Sequence, residues 1–283
     1  MVFKTLIGAN DLAERLGSPR LCVVDCRFDL LQPDSGRQDY LRAHIPGARY
    51  ADLNRDLSAP VGPNTGRHPL PSPAVLAAHL GALGIGNDAQ VIAYDAGNGS
   101  FAARLWWLLR WLGHAAVAVL DGGFQAWTAA GGAVESGEPC LPAAANFIPR
   151  RIDADSVMSA AQLETRLREG AALLLDARAP ERFAGAVEPI DAVAGHIPGA
   201  VNHPFTANLG ADGRFLSAAE LQDRWRRRLA GADGKTLVAM CGSGVTACHN
   251  LLSLEIAGIG GGQLYAGSWS EWIRDPRRPV ERS

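Results

Sequence analysis

The sequence has almost no net charge: 27 Lys and Arg against 29 Asp and Glu leave −2 at pH 7. That balance offers no electrostatic footprint to nucleic acid or to an anionic membrane surface, so an anionic ligand has to be held by a few placed cations. Cysteine is scarce. Five in 283 residues (Cys22, Cys26, Cys140, Cys241 and Cys248) are an odd number without the spacing of a disulfide framework or a zinc site. A reducing cytoplasm is the compartment this implies. Long apolar runs are missing too. The most apolar stretch, 101–120, is interrupted by Arg104, Arg110 and His114, and reads as a buried helix followed by a strand rather than a membrane span. The first residues read as acidic and helix-like, not as a secretion signal.

What is present is ordinary in amount and unusual in arrangement. Apolar residues make up 47% and charged residues 20%, the profile of a soluble globular chain, and 283 residues at ~150 per domain predict two domains. The two are copies. Val23-Val24-Asp25-Cys26-Arg27 is answered by Leu174-Leu175-Asp176-Ala177-Arg178, and His44-Ile-Pro-Gly-Ala48 by His196-Ile-Pro-Gly-Ala200, at a spacing of about 150 residues. Val91-Ile-Ala-Tyr-Asp95 answers Leu237-Val-Ala-Met-Cys241, and the ending at Trp127 answers Gly-Ser-Trp-Ser-Glu-Trp272. The landmarks keep their order, which predicts domains at 1–140 and 151–283 with a linker over about 133–155.

Within each copy, short apolar runs such as 91–94, 117–120, 173–175 and 237–240 read as buried strands, with helical patterns between them. Ser72-Pro73 reads as a helix start, and Ser159-x-x-Gln162 and Ser217-x-x-Glu220 have capping-box form. Strands alternating with helices predict an α/β fold, a parallel sheet flanked by helices in each domain, with ligands beyond the carboxyl ends of the strands. At such an end stands Cys241, followed by Gly242-Ser243-Gly244-Val245-Thr246 and a helix-like run. The glycines allow backbone N–H groups to converge on one point, and the helix N-terminus adds positive partial charge. An anionic sulfur at Cys241, thiolate or persulfide, is favoured there. The other copy has Asp95 in place of the nucleophile.

The chain resembles the tandem-domain rhodanese and 3-mercaptopyruvate sulfurtransferase family, on the D-x-R, H-I-P-G-A, Cys241-loop and G-S-W-x-E-W segments. The resemblance implies two tandem rhodanese-like domains, an inactive first one, and a persulfide on Cys241 that passes sulfur from a small anionic donor to cyanide or a thiol. It implies no metal and no organic cofactor, and on the acceptor side admits a thioredoxin-like reductant. The loop 241–247 is similar to that of mercaptopyruvate enzymes, whereas thiosulfate enzymes carry cations directly after the cysteine. Two arginines usually hold the mercaptopyruvate carboxylate. Arg182-Phe183 matches one, but the second segment reads Glu188-Pro189-Ile190, without its arginine. Arg182 with the loop residues Gly242, Gly244, Val245 and Thr246 is therefore the expected donor site. The resemblance also implies a serine–histidine–aspartate relay, for which Ser243 and His44 are the expected members and the aspartate stays unassigned.

Other features read as structure. Asp25, Arg27, Asp176 and Arg178 are expected scaffold ion pairs, and His196 an expected turn residue. Cys248 and His249 on a helix are poor zinc geometry, so packing is expected. Trp106, Trp107 and Trp111 read as core and domain-interface mass rather than a binding platform, and Arg226-Arg227-Arg228 as a solvated helix face. A phosphatase of the same fold would need an arginine where Ala247 stands. A thiosulfate sulfurtransferase, or a persulfide-carrying module with little turnover, are the alternative functions.

Overall fold

A computed structural model describes residues 2–138 and 143–283, so Cys140 and the middle of the expected linker lie outside the described residues. The chain divides into two compact units. The first comprises Met1–Ala59, Pro71–Asp153 and Ala211–Phe215; the second comprises Pro60–Leu70, Ala154–Gly210 and Leu216–Ser283. Beside the expected division at 1–140 and 151–283, the first unit runs on to Asp153 and the two units exchange segments 60–70 and 211–215. Each lies outside the strands and goes where its polar groups find partners. The Phe215 N–H donates to the Asp121 carboxylate at 2.9 Å, and the Arg67 N–H donates to Ser270 Oγ at 3.0 Å.

The first unit runs β1 (Leu6–Ile7), α1 (Ala9–Ala13), β2 (Leu21–Asp25), α2 (Ser35–Arg42), β3 (Arg49–Tyr50), α3 (Pro73–Ala82), β4 (Gln90–Tyr94), α4 (Ala102–Trp111), β5 (Val117–Leu120) and α5 (Gly123–Ala129). Its strands lie in the order β1-β5-β4-β2-β3, all parallel. The second runs α6 (Ala160–Arg168), β6 (Ala172–Asp176), α7 (Pro180–Ala184), β7 (Val201–Asn202), α8 (Ala218–Leu229), β8 (Thr236–Met240), α9 (Thr246–Ile256), β9 (Gln263–Leu264) and α10 (Ser268–Trp272). Here the order is β7-β6-β8-β9, again parallel. Continuous apolar runs form these strands because helices flank the sheet and leave little room for polar side chains. Val91, Ile92, Ala93 and Tyr94 are all buried, as are Val238, Ala239 and Met240.

The helix starts follow local chemistry. Ser72 Oγ accepts the Val75 N–H, and Ser159 and Ser217 form complete capping boxes with Gln162 and Glu220. The duplicated motifs do duplicated work. Arg27 grips the Asp25 carboxylate through Nε and Nη2 (2.9 and 2.6 Å) and donates to the Ala43 carbonyl at 2.6 Å. Arg178 does the same with Asp176 (3.0 and 2.6 Å) and the Gly195 carbonyl at 2.8 Å. Each arginine thus ties the end of a central strand to the residue before an H-I-P-G-A segment, whose Ile45 or Ile197 enters the core. Trp127 and Trp272 close the two cores, and their Nε1 atoms donate to the carbonyls of Ala133 and Pro279. Trp106, Trp107 and Trp111 are buried in the first unit, the last two stacked with centroids 5.9 Å apart. The described part of the expected linker lies along the first unit: the Ala145 N–H donates to the Gly81 carbonyl and the Ile148 N–H to Asn87 Oδ1.

Candidate active site

Strand register places the candidate nucleophile, Cys241. Met240, the last residue of β8, pairs with Asp176, the last of β6, so Cys241 is the first residue past the carboxyl end of the sheet. The chain then needs a sharp turn to enter α9. Gly244 supplies it with φ +78°, a left-handed conformation costly for a residue with a Cβ, and a Cβ added there would meet the Ala266 carbonyl oxygen at 2.3 Å. In this turn the Gly244 N–H donates to Cys241 Sγ at 3.2 Å. The turn before α10 braces the loop from beneath. Ser268 Oγ accepts the Cys241 N–H at 3.0 Å and donates to the Tyr265 carbonyl; the Trp269 and Ser270 N–H groups donate to the carbonyls of Cys241 and Gly242. Ser268 is the one non-glycine residue with positive φ (54°) among the described residues. Cys241 and Ser243 are buried.

Segment 60–70, part of this unit, brings two residues to the loop that sequence reading missed. His68 Nδ1 lies 2.7 Å from Ser243 Oγ, and Arg67 stands beside Gly242: a Cβ built there would meet Arg67 Nη2 at 2.9 Å and the Arg182 guanidinium nitrogens at 3.6 and 3.7 Å. Two guanidinium groups therefore flank the first loop glycine. Arg182, on α7, is held by Glu188 through Nε (3.1 Å) and Nη2 (2.7 Å), and by Asp191 through Nη2 (3.1 Å). Arg67 Nη1 bonds the other oxygen of Asp191. Burial works against the Glu188 carboxylate, but Arg182 and the N–H groups of Asp191 and Ile190 outweigh it and hold its carboxyl below the usual range. Burial pushes the Asp191 carboxyl up, with Arg67 opposing. Arg67, from a different stretch of chain than Ile190, thus stands with Arg182 beside Gly242. An Arg-His pair in a Pro- and Gly-rich loop was the available signal, but one sequence does not say where such a loop docks.

His44 is corrected: the imidazole on Ser243 is that of His68. His44 Nδ1 bonds the Tyr40 carbonyl at 2.8 Å and Nε2 the Glu135 carboxylate at 3.2 Å, stitching residues 44 and 135 together in the first unit. His196 holds the matching position, with Nδ1 2.8 Å from the Phe183 carbonyl. Val245 caps α9 and Thr246 begins it, with Gly242 and Gly244 before them. The Cys248 thiol donates to the Gly244 carbonyl at 3.3 Å, and His249 packs beside Asn208 and Phe205. Burial pushes the Cys22 thiol up to about 11 and raises Cys26 well above its ordinary value, which leaves both poor nucleophiles. In the first unit the counterpart of the Cys241 loop closes on itself. Asp95 Oδ1 accepts the N–H groups of Gly97 and Gly99, and Oδ2 those of Phe101 and Ala102, at 2.9 to 3.1 Å.

Comparison with known proteins identifies the two domains. The model of the rhodanese-like domain matches twice, over residues 8–130 and 159–275. The chain is 56% identical over 278 residues to a probable 3-mercaptopyruvate sulfurtransferase of Pseudomonas aeruginosa, covering 97% of each. It is 36% identical to a thiosulfate sulfurtransferase of Bos taurus, covering 99% of this chain and 95% of that one. Among solved structures, the 3-mercaptopyruvate sulfurtransferase from Leishmania major superposes with a TM-score of 0.84 at 36% identity, covering 96% of this chain and 76% of that one. Among the described residues, no helix is long and apolar enough to cross a membrane.

Proposed function

Because the chain belongs to the rhodanese family, whose domain it carries twice, we propose that this sulfurtransferase takes its sulfur from 3-mercaptopyruvate through a persulfide on Cys241. The Cys241 thiolate attacks the donor sulfur. An S–S bond forms, the C–S bond breaks, and its electron pair leaves on carbon as the enolate of pyruvate, which one proton converts to pyruvate. Arg67 and Arg182 hold the donor carboxylate, as paired guanidinium groups do well. Ser243 gives the proton and His68 reloads it, a task that fits a hydroxyl and an imidazole 2.7 Å apart. A thiophile then attacks the outer sulfur, the S–S bond breaks, and the Cys241 thiolate returns. With cyanide the product is thiocyanate. With a dithiol of thioredoxin type, the first thiol takes the sulfur and the second displaces it as hydrogen sulfide, leaving a disulfide. A reducing compartment, the cytoplasm, suits a chain whose four described cysteines are all free thiols.

The Ser243–His68 pair carries the choice of donor. Thiosulfate releases sulfite, which needs no proton, so the pair would be idle in a thiosulfate enzyme; with mercaptopyruvate it has a step to perform. The test is steady-state turnover with each donor, cyanide or a dithiol as acceptor, beside Cys241→Ser and Arg182→Ala. Mercaptopyruvate is expected to have the higher kcat/KM, Cys241→Ser none, and Arg182→Ala a loss of about 10- to 100-fold. A persulfide that forms on Cys241 without turnover from either donor would favour a sulfur-carrying module instead.

A further inference from the structure

The two donor-side arginines end a chain of alternating charges: Asp176, Arg178, Glu188, Arg182, Asp191, Arg67. Arg178 Nη2 is 2.6 Å from Asp176 and its Nη1 3.5 Å from Glu188; Glu188 is 2.7 Å from Arg182, Arg182 is 3.1 Å from Asp191, and Asp191 pairs with Arg67. Three positive and three negative groups sum to zero. Exposure rises toward the loop: the side chains of Asp176 and Arg178 are 0% and 2% exposed, those of Arg182 and Arg67 17% and 25%. Asp191 takes Nη1 of Arg67 and Nη2 of Arg182, which leaves Arg67 Nη2 and Arg182 Nη1 nearest Gly242. Arg67 Nε is buried without a hydrogen-bond partner, a donor that a ligand can satisfy.

We propose that Asp191 is a specificity-determining positioning residue: it holds the two arginine forks together and cancels one of their charges, so that the subsite prefers a singly charged donor over a doubly charged one. This rests on the reading of Arg67 and Arg182 as the donor's cations. With Asp191 ionised, the charge chain is neutral, and a monoanion such as a carboxylate brings one uncompensated charge. A dianion such as thiosulfate brings two. At a separation of roughly 6 Å and an effective dielectric of roughly 40, one unit charge changes binding about tenfold for each ligand charge, so its removal should help the dianion about tenfold more than the monoanion.

The test compares Asp191→Asn and Asp191→Glu with the wild type. Asp191→Asn is expected to raise the ratio of kcat/KM for thiosulfate to that for mercaptopyruvate about tenfold, mainly through KM, and Asp191→Glu to restore it to within about threefold. A parallel fall with both donors, or an unchanged ratio, would overturn the proposal. A second measurement needs no turnover: equilibrium binding of sulfate and of pyruvate. The wild type is expected to bind pyruvate at least as well as sulfate, and tenfold tighter sulfate binding would overturn the proposal even if Asp191→Asn failed to fold. Failure of the wild type to turn over either donor would count against the sulfurtransferase reading alone, and the sulfate-to-pyruvate binding ratio, expected to rise about tenfold in Asp191→Asn, would then decide the role of Asp191.

Discussion

Gly244→Ala separates the backbone contribution to sulfur loading from simple stability. At φ +78° an alanine costs roughly 1–2 kcal/mol, and its Cβ would lie 2.3 Å from the Ala266 carbonyl oxygen, a backbone atom that cannot swing aside. Relief of that overlap adds roughly 1–3 kcal/mol, for a total of about 2–5 kcal/mol in folding. The relief has to move the Gly244 amide, whose N–H lies 3.2 Å from Cys241 Sγ. A hydrogen bond to a charged acceptor contributes roughly 1.5–3 kcal/mol, so its loss predicts a drop of about 10- to 100-fold in the rate of persulfide formation. Gly199→Ala is the control: φ is +79°, but no heavy atom lies within 4 Å of its added Cβ, so only the left-handed cost of roughly 1–2 kcal/mol applies. The assay pairs urea unfolding with single-turnover sulfur loading, quenched by alkylation and read by intact mass. If Gly244→Ala loads sulfur at the wild-type rate while losing no more stability than Gly199→Ala, the loop geometry is irrelevant to the chemistry and the reasoning fails.

His68→Gln is expected to lower kcat with mercaptopyruvate by about 100-fold and with thiosulfate by less than about threefold, since only the first donor needs a proton. His44→Gln should leave both rates intact and cost roughly 1–3 kcal/mol of stability by unpairing the Tyr40 carbonyl and the Glu135 carboxylate; equal kinetic losses in the two variants would reject the assignment of Ser243's partner to His68. His203 is buried, stacked on Trp225 and bonded to Asn208, and burial pushes its imidazole down to about 4 from 6.5. The unfolded chain then binds more protons between those values, so stability is complete above pH 6.5 and falls as pH drops toward 4, by up to about 3 kcal/mol. Urea unfolding from pH 4 to 7.5 should show that slope in the wild type and a flatter one in His203→Gln.

The repeated parts of the fold were readable because repetition exposes them. The D-x-R and H-I-P-G-A segments recur with one job each, the strands are continuous apolar runs, and the serine caps lie where local hydrogen bonding requires them. The Cys241 loop was readable for a similar reason: strand, glycine turn and helix follow one another along the chain. Arg67 and His68 were not, because their place depends on segment 60–70 joining the second unit, a long-range event with no local periodicity. The same gap misplaced His44. Its motif drew attention, yet both ring nitrogens already bond within the first unit. Ile190 stands where the resemblance implies a second arginine, and Arg67 next to Gly242 comes from a different stretch of chain, which no local pattern announces.

The Asp95 loop fixes a stoichiometry. Its four amide protons converge on one carboxylate that is covalently part of the chain, so the pseudo-site is saturated at every substrate concentration and no free anion can compete for it. With the Cys22 and Cys26 thiols pushed up by burial and the Cys248 thiol bonded to the Gly244 carbonyl, a Cys140→Ser protein fully charged by donor should carry a single transferable sulfur atom per polypeptide, even though the gene encodes the receptacle twice.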